Sequence, residues 1–172
     1  MKIGEQFVMT KNEKYKIIEQ FITENQATYY RLAYSYVKNK DTALDIVQDS
    51  IVKALRSINR LDEIAYIKTW FYRIVVNTSI DFLRKHKRMT VMEDDMLSIH
   101  LPHLNDDMTD LDLQQAIDQL PPDDQTLIIL RYFEDLKIEE VAEVMDLNVN
   151  TTKTRLYRAL KSLRIEVGED FR

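Results

Sequence analysis

The sequence predicts an all-α protein of two small helical domains joined by an acidic linker, the C-terminal domain containing a helix-turn-helix. Only 2 Gly and 3 Pro occur among the 172 residues, so little interrupts long helices. Apolar residues recur at helical spacing, and no alternating strand pattern of useful length is present. Charge is segregated into a basic, an acidic and a second basic stretch. Together these observations also divide the chain into its domains.

The first domain is predicted over residues 13–88, after a flexible N-terminus of residues 1–12. Its helices are expected over 13–38 (with a break near Asn25), 42–59 and about 65–87. Asp41 is the expected N-cap of the second helix. The third helix carries an apolar stripe that should face the core: Ile67, Trp70, Phe71, Ile74, Thr78 and Phe82.

An acidic linker is predicted over residues 89–110, which contain Pro102 and lack clear periodicity. The second domain, residues 111–168, follows with four expected helices: about 111–119, 123–133, 138–145 and 149–164. Pro121 and Pro122 should end the first of these helices and help to start the next.

The net charge of the chain is −5, but the charge is distributed unevenly along the sequence. Residues 89–124 contain ten acidic residues and no Lys or Arg, and the rest of the chain has 24 bases against 19 acids. The most basic stretches, 68–88 and 149–164, flank this acidic region, which suggests two modules that face nucleic acid. Charge alone leaves open a simpler interpretation, two solvated helix faces and a disordered linker.

The segment "VMDLNVNTTKTRLYRALKSLR", residues 144–164, reads as helix, turn and helix without a glycine in the turn. Asp146 is expected to take the left-handed conformation, which Asp and Asn tolerate better than other non-glycine residues. Asn148 should then cap the following helix, and the small Ala142 should let the two helices cross closely.

One face of the 149–164 helix is apolar, and the other carries hydroxyl, amide and basic groups without a carboxylate. The polar face suits a major groove, because short polar groups reach base edges while Arg and Lys hold phosphates. The candidate DNA-binding residues are Asn150, Thr151, Lys153, Thr154, Arg155, Arg158 and Lys161. A pair of core helices that touches no DNA is the alternative.

Other classes of function find little support. The absence of cysteine excludes disulfides and fits the cytoplasm, and neither a signal peptide nor a membrane-length apolar run is seen. His100 and His103 lie near Asp106 and Asp107, but on a loop-like segment without further ligands, so no metal site is expected. We expect no catalytic residues, cofactor or small-molecule substrate.

Residues "AIDQLPPDDQTLIILRYFEDLKIEEVAEVMDLNVNTTKTRLYRALKSLR" resemble the C-terminal domain of bacterial RNA polymerase sigma factors. "ALDIVQDSIVKALRSINR" and "YIKTWFYRIVVNTSIDFLRKHKR" resemble the first domain of the same family. Two domains with only a short linker between them are typical of its extracytoplasmic-function (ECF) branch. The resemblance covers roughly residues 20–166 and implies a non-enzymatic specificity subunit that binds core RNA polymerase and promoter DNA and assists melting.

The resemblance also implies roles for residues of the first domain. It places Leu44, Asp45, Gln48 and Asp49 against the polymerase. It places the −10 promoter element against Leu61, Arg73, Asn77, Arg84, Lys85 and Arg88, and the −35 element against the C-terminal helix. Many ECF factors are held inactive by an anti-sigma protein, often membrane-bound, so such a partner is expected.

The chain departs from the family pattern at several turns. The family often has Gly where Asp135, Asp146 and Asn150 stand here, and Ser where Lys137 stands. Asp and Asn tolerate glycine-like backbone geometry, so the fold should persist, while Asn150 could alter the preferred promoter. The alternative function is a helix-turn-helix transcriptional regulator that acts without the polymerase core.

Overall fold

The structure is a computed structural model that describes residues 8–90 and 108–167. Side chains are described throughout those ranges except at 88–90, 108–112, 114 and 165–167. The described ranges are helical without strands, which confirms the all-α fold class. The helices are α1 (Lys11–Glu24), α2 (Gln26–Val37), α3 (Lys40–Arg56), α4 (Ile67–Thr90), α5 (Met108–Gln119), α6 (Pro122–Ile128), α7 (Ile138–Met145) and α8 (Val149–Val167).

The first domain is built on α2, α3 and α4, which pack against one another in all three pairs. Phe71 and Tyr29 meet edge to face at the centre, with ring centroids 5.2 Å apart. The Tyr29 hydroxyl donates to the carbonyl of Ile22, and burial raises its pKa to about 12. A capping box at Thr10 and Glu13 starts α1, and Asn25 separates α1 from α2 where the break was predicted.

The buried face of α4 is wider than the predicted stripe. Phe71 and Thr78 are buried as expected, but Trp70 is only partly buried, whereas Tyr72, Val76 and Ser79 are almost fully buried. The reason is that α4 packs against α2 and α3 on one side and against α7 of the second domain as well. A single apolar stripe predicts one buried face, whereas α4 is buried on more than one side.

Several boundaries of helices and of the linker differ from those predicted. Asn39 rather than Asp41 caps α3, because its side-chain oxygen accepts from the Thr42 amide at 2.9 Å. Helix α4 continues to Thr90 and α5 begins at Met108, so the predicted linker 89–110 is helical at both ends. Residues 91–107, the rest of that linker, lie outside the described residues, as do 1–7.

The second domain consists of α5 to α8, with α8 packed against α5, α6 and α7. Pro122 occupies the first turn of α6 as predicted. The predicted helix 123–133 is α-helical only to Ile128, and a π-helical turn follows over Ile129–Phe133. The buried Gln125 side chain supports the preceding connection by donating to the carbonyls of Asp118 and Leu120, at 3.1 and 2.7 Å.

The two domains pack directly against each other, which the sequence analysis did not predict. Helix α4 contacts α7, and α2 contacts α6. The hydrophobic core is continuous across this boundary, since buried residues of both domains belong to one cluster. The chain therefore adopts a closed form, in which both domains share one body.

Candidate nucleic-acid interface

The helix-turn-helix forms with the predicted backbone geometry. Asp146 adopts the left-handed conformation, with φ 54° and ψ 45°. The amides of Asp146 and Leu147 donate to the carbonyls of Glu143 and Ala142, at 3.2 and 2.9 Å, which closes the end of α7. Ala142 is 3% exposed, as expected for a small residue at a close helix crossing.

Asn148 caps α8 as predicted. Its side-chain oxygen accepts from the Thr151 amide at 2.7 Å. One turn later, the buried Thr152 hydroxyl donates to the Asn148 carbonyl at 2.9 Å. Leu156, Ala159 and Leu163 continue the buried face of α8. These contacts fix both the start and the rotation of the helix, so its polar residues face outward.

The outward face of α8 contains the predicted DNA-binding residues. Asn150, Lys153, Thr154, Arg158 and Lys161 are exposed, while Thr151 and Arg155 are half-buried. The Thr154 hydroxyl donates to the Asn150 carbonyl at 3.0 Å. That hydroxyl therefore keeps free lone pairs and suits contacts with base donors.

Tyr157 belongs to the same face and was missed by the sequence analysis. Its side chain is 68% exposed, and it stands four residues after Lys153 and four before Lys161, so the three share one ridge of α8. The helical position alone would have identified it. An exposed aromatic ring there can contact an apolar group of DNA or donate through its hydroxyl.

A carboxylate from another helix lies near this basic face. Burial raises the pKa of Asp124, in the first turn of α6, and the nearby guanidinium groups of Arg155 and Arg158 partly oppose that effect. The polar face is thus free of carboxylates only along α8 itself. Asp124 reduces the positive potential of the two arginines.

The candidate residues for the second DNA contact lie mainly on the outer face of α4. Arg73, Asn77, Arg84 and Lys85 are exposed, while the Arg88 side chain lies outside the described ones. Leu61 is only 2% exposed, and its carbonyl accepts from the Lys14 ammonium at 2.8 Å. Its assignment to a base contact is therefore not supported, because an apolar side chain in the loop packs into the core.

Tyr66 is a better candidate for contact with an unstacked base. It lies just before α4 and is 57% exposed. Aromatic rings are common stacking partners for single-stranded bases. Tyr66 was not among the predicted contact residues, because the prediction for this loop rested on charged and amide groups and not on aromatic ones.

Helix α3 presents the residues expected to meet the polymerase. Asp45, Gln48 and Asp49 are exposed, and Leu44 is 42% exposed. The Asp49 carboxylate also lies 3.4 Å from the Lys53 ammonium one turn later. An open, mainly apolar groove of about 290 Å³ runs beside them between α2 and α3, lined by Gln26, Ala27, Tyr29, Tyr30, Leu44, Val47 and Ile51.

Comparison with known families matches both domains. Residues 21–89 match sigma-70 region 2, and residues 110–163 match sigma-70 region 4. The matched segments contain α4 with its exposed Arg and Lys residues and the helix-turn-helix. The fold and these surfaces therefore define a transcription initiation factor that binds DNA through a helix-turn-helix.

Sequence relatives identify the group. The chain is 52% identical over 149 residues to RNA polymerase sigma factor SigV of Bacillus subtilis, covering 87% of this chain and 90% of the relative. It is 30% identical over 155 residues to the ECF factor SigW of the same organism, covering 81% and 83%. The chain belongs to the sigma-70 family, in its ECF group. It acts with RNA polymerase in promoter-specific transcription initiation.

Two solved structures share the fold. One is the sigma factor RpoE of Bartonella quintana in complex with the anti-sigma factor NepR, with a TM-score of 0.76 at 24% identity, covering 91% of this chain and 99% of that one. The other is CnrH in complex with the cytosolic domain of CnrY, with a TM-score of 0.64 at 18% identity, covering 93% of each chain.

The described part of the chain gives no sign of a metal centre or a membrane segment. No group of three or more potential ligand side chains there could hold a metal ion. No helix within the described ranges is long and apolar enough to cross a membrane. His100 and His103 lie outside the described residues.

Proposed function

We propose that this sigma factor recognises a two-element promoter, with α8 reading the −35 element and α4 together with Tyr66 engaging the −10 element. The observation that carries the proposal is the outward face of α8. Its hydroxyl, amide and basic side chains start at a capped helix N-terminus, where the helix dipole also favours phosphate. Thr154 and Asn150 would contact bases, and Arg158 and Lys161 would hold the backbone.

The polymerase contact is assigned to α3. Two carboxylates and an amide beside an apolar groove offer both charge pairing and apolar burial, the usual combination at a protein interface. Leu44 would enter the partner surface while Asp45, Gln48 and Asp49 pair with its polar and basic groups. On this proposal the chain acts in the cytoplasm, where it directs the polymerase to promoters and catalyses no reaction itself.

An anti-sigma factor is the second proposed partner. RpoE and CnrH, whose folds this chain shares, were both solved with proteins bound, NepR being an anti-sigma factor. The same groove between α2 and α3 offers an anti-sigma protein an apolar surface.

Reconstitution with purified core polymerase tests the promoter assignment. Transcript starts on genomic fragments should fall at defined positions with the wild type, and upstream sequences should share two elements. Arg158→Ala should weaken initiation, while Lys16→Ala, an exposed basic residue on α1, should not. Starts that are equally scattered with and without the factor would overturn the proposal.

A further inference from the structure

The connection between α3 and α4, residues 57–66 (the 57–66 loop), is anchored at its middle. Two short 3-10 turns, Ile58–Arg60 and Ile64–Tyr66, make up most of it. Ile58 and Leu61 are almost fully buried, at 1% and 2% exposure. Leu61 has an extended backbone between the two turns, so its carbonyl belongs to no helix and needs a partner from elsewhere.

That partner is Lys14, which lies 47 positions earlier in the chain, on α1. Its ammonium donates to the Leu61 carbonyl oxygen at 2.8 Å, and the lysine is half-buried. A hydrogen bond from a charged donor is about twice as strong as one between neutral groups, and partial shielding from water strengthens it further. One side chain of α1 therefore fixes the backbone of the loop at its centre.

Helix α1 is a firm base for this contact. The Ile18 side chain is completely buried, and the Phe21 ring meets the Phe71 ring of α4 edge to face, with centroids 6.0 Å apart. The capping box that begins at Thr10 fixes the first turn, and the Lys14 amide donates to the Thr10 carbonyl at 3.1 Å. The lysine side chain thus extends from a fixed backbone, and its hydrogen bond ties the loop to α1.

The loop carries polar groups on both sides of this anchor. Four of its charged or amide side chains are exposed, two before Leu61 and two after it: Asn59, Arg60, Asp62 and Glu63. The chain then reaches Tyr66, the ring proposed above to stack on an unstacked base. Stacking accepts any base, because every base has a π-face, so base identity has to be read by polar groups at the base edge. Such groups discriminate only when they are held within about 0.5 Å of the correct position.

We propose, resting on the −10 assignment above, that Lys14 is a positioning residue for base recognition. Its ammonium holds the middle of the 57–66 loop on α1, and the loop then presents its polar groups to a base stacked on Tyr66. Lys14 acts through the Leu61 carbonyl and not by contact with DNA. Helix α1 thereby contributes to base selection at the −10 element, although it lies outside the surfaces assigned to DNA.

A bond that only stabilises the fold would have a different effect on transcription. Lower stability reduces the amount of folded factor and weakens the use of all promoters alike. Lost positioning reduces the preference for one base at one −10 position, and it leaves the −35 preference and the assembly with polymerase unchanged. The two roles therefore differ in which promoter positions respond.

Selection from a randomised −10 element by the reconstituted holoenzyme tests the proposal. Lys14→Met keeps most of the apolar stem and removes the ammonium. The base preference at one −10 position should fall several-fold, whereas the selected −35 element and co-purification with core polymerase should not change. Lys16→Met, at an exposed position on α1, should retain the wild-type preference. An unchanged preference in Lys14→Met, or an equal loss at every −10 position, would overturn the proposal.

Two further variants separate positioning from stability. Ile22→Val shortens a buried side chain of α1, eight residues or about 12 Å beyond Lys14, and leaves the loop contact in place. It should lower the melting temperature and keep the full −10 preference. Lys14→Arg keeps a cationic donor and should recover part of the preference that Lys14→Met loses. A loss of preference in Ile22→Val, or no recovery in Lys14→Arg, would show that donation to the loop is not what matters.

A double variant tests whether Lys14 acts on the same base as Tyr66. Adding Lys14→Met to Tyr66→Ala should lower the preference at that position little further, because without the ring the base is not held for the loop to read. Independent losses at two different positions would contradict the proposal. If the wild type gives no defined starts, the proposed function itself is wrong. If the wild type and Lys14→Met select the same defined −10 element, only the role of Lys14 is wrong.

Discussion

Asp146 makes the turn of the helix-turn-helix and also touches the other domain, since its carboxylate lies 3.5 Å from the guanidinium of Arg73. Its backbone sets the angle between α7 and α8, and its side chain engages a residue assigned to the −10 element. The same residue thereby couples the geometry of one proposed DNA contact to the accessibility of the other.

The two roles of Asp146 can be separated by substitution. Asp146→Ala should lower the free energy of unfolding by about 1 kcal/mol, because alanine is strained in the left-handed conformation. Asp146→Gly should keep the turn and lose only the ion pair with Arg73, worth at most about 1 kcal/mol at this exposure. Denaturant unfolding of both variants checks this. Equal free energies of unfolding for the Asp146→Ala and Asp146→Gly variants would contradict the importance of the left-handed backbone at this position.

On α8, phosphate and base contacts should respond differently to truncation. Arg158→Ala should weaken holoenzyme binding to all promoters alike and reduce the salt slope by about 1. Asn150→Ala, Thr154→Ala and Tyr157→Ala should instead change which bases are preferred at the upstream element. Selection from a randomised −35 element, repeated at several salt concentrations, distinguishes them. A preference altered by Arg158→Ala and by none of the others would reverse the assignment.

The polymerase surface predicts a variant that folds but does not assemble. Asp45→Arg combined with Gln48→Ala should abolish co-purification with core polymerase, since a charge reversal in an interface costs several kcal/mol. Both positions are exposed on α3, so thermal unfolding should hardly change. Glu19→Arg, an equal reversal at an exposed position on α1, is the control. Normal assembly by the folded double variant would remove α3 from the interface.

Asp124 should limit the affinity of α8 for DNA. Its pKa is raised mainly by burial, so its charged form is disfavoured in the folded state. The contribution of Asp124 to the free energy of unfolding is therefore present below the ordinary pKa of an aspartate. It is lost as the pH rises through the raised pKa of the folded state. Asp124→Asn removes that loss and the negative charge beside Arg155 and Arg158. Stability at neutral pH should not fall and DNA affinity at low salt should rise; a weaker DNA complex would show that Asp124 instead positions the arginines.

Most of the helices and the helix-turn-helix were predictable, because they depend on local rules. The break near Asn25, the cap at Asn148 and the left-handed Asp146 all follow from residues within a few positions of the feature. Asn39 was overlooked as a cap because Asp41, two residues later, is an equally good capping residue type. The π-helical turn over Ile129–Phe133 has no comparable sequence signal.

The contacts between the domains were not predictable in the same way. Tyr72 and Val76 lie off the predicted stripe of α4, and they are buried because α4 packs against helices of both domains. Leu61 was assigned to a DNA contact by the resemblance to sigma factors, whereas its side chain is buried in the core. Tyr157 and Tyr66 show the opposite error, since charged and amide residues were counted on these two surfaces and the exposed aromatic residues were not.

Each left-handed non-glycine residue in the described chain carries a charged side chain that forms an ion pair. Lys38 pairs with Asp118, Asp135 with Arg131 and Asp146 with Arg73. A glycine would build the same bends and leave no side chain there. The turn at Asp146 accepts either glycine or aspartate, and only aspartate adds an ion pair with Arg73 of the other domain. An exchange between these two residues can therefore change the strength of the contact between the domains without altering the helices. Related sigma factors could thus share one architecture and differ in how strongly their two domains are held together.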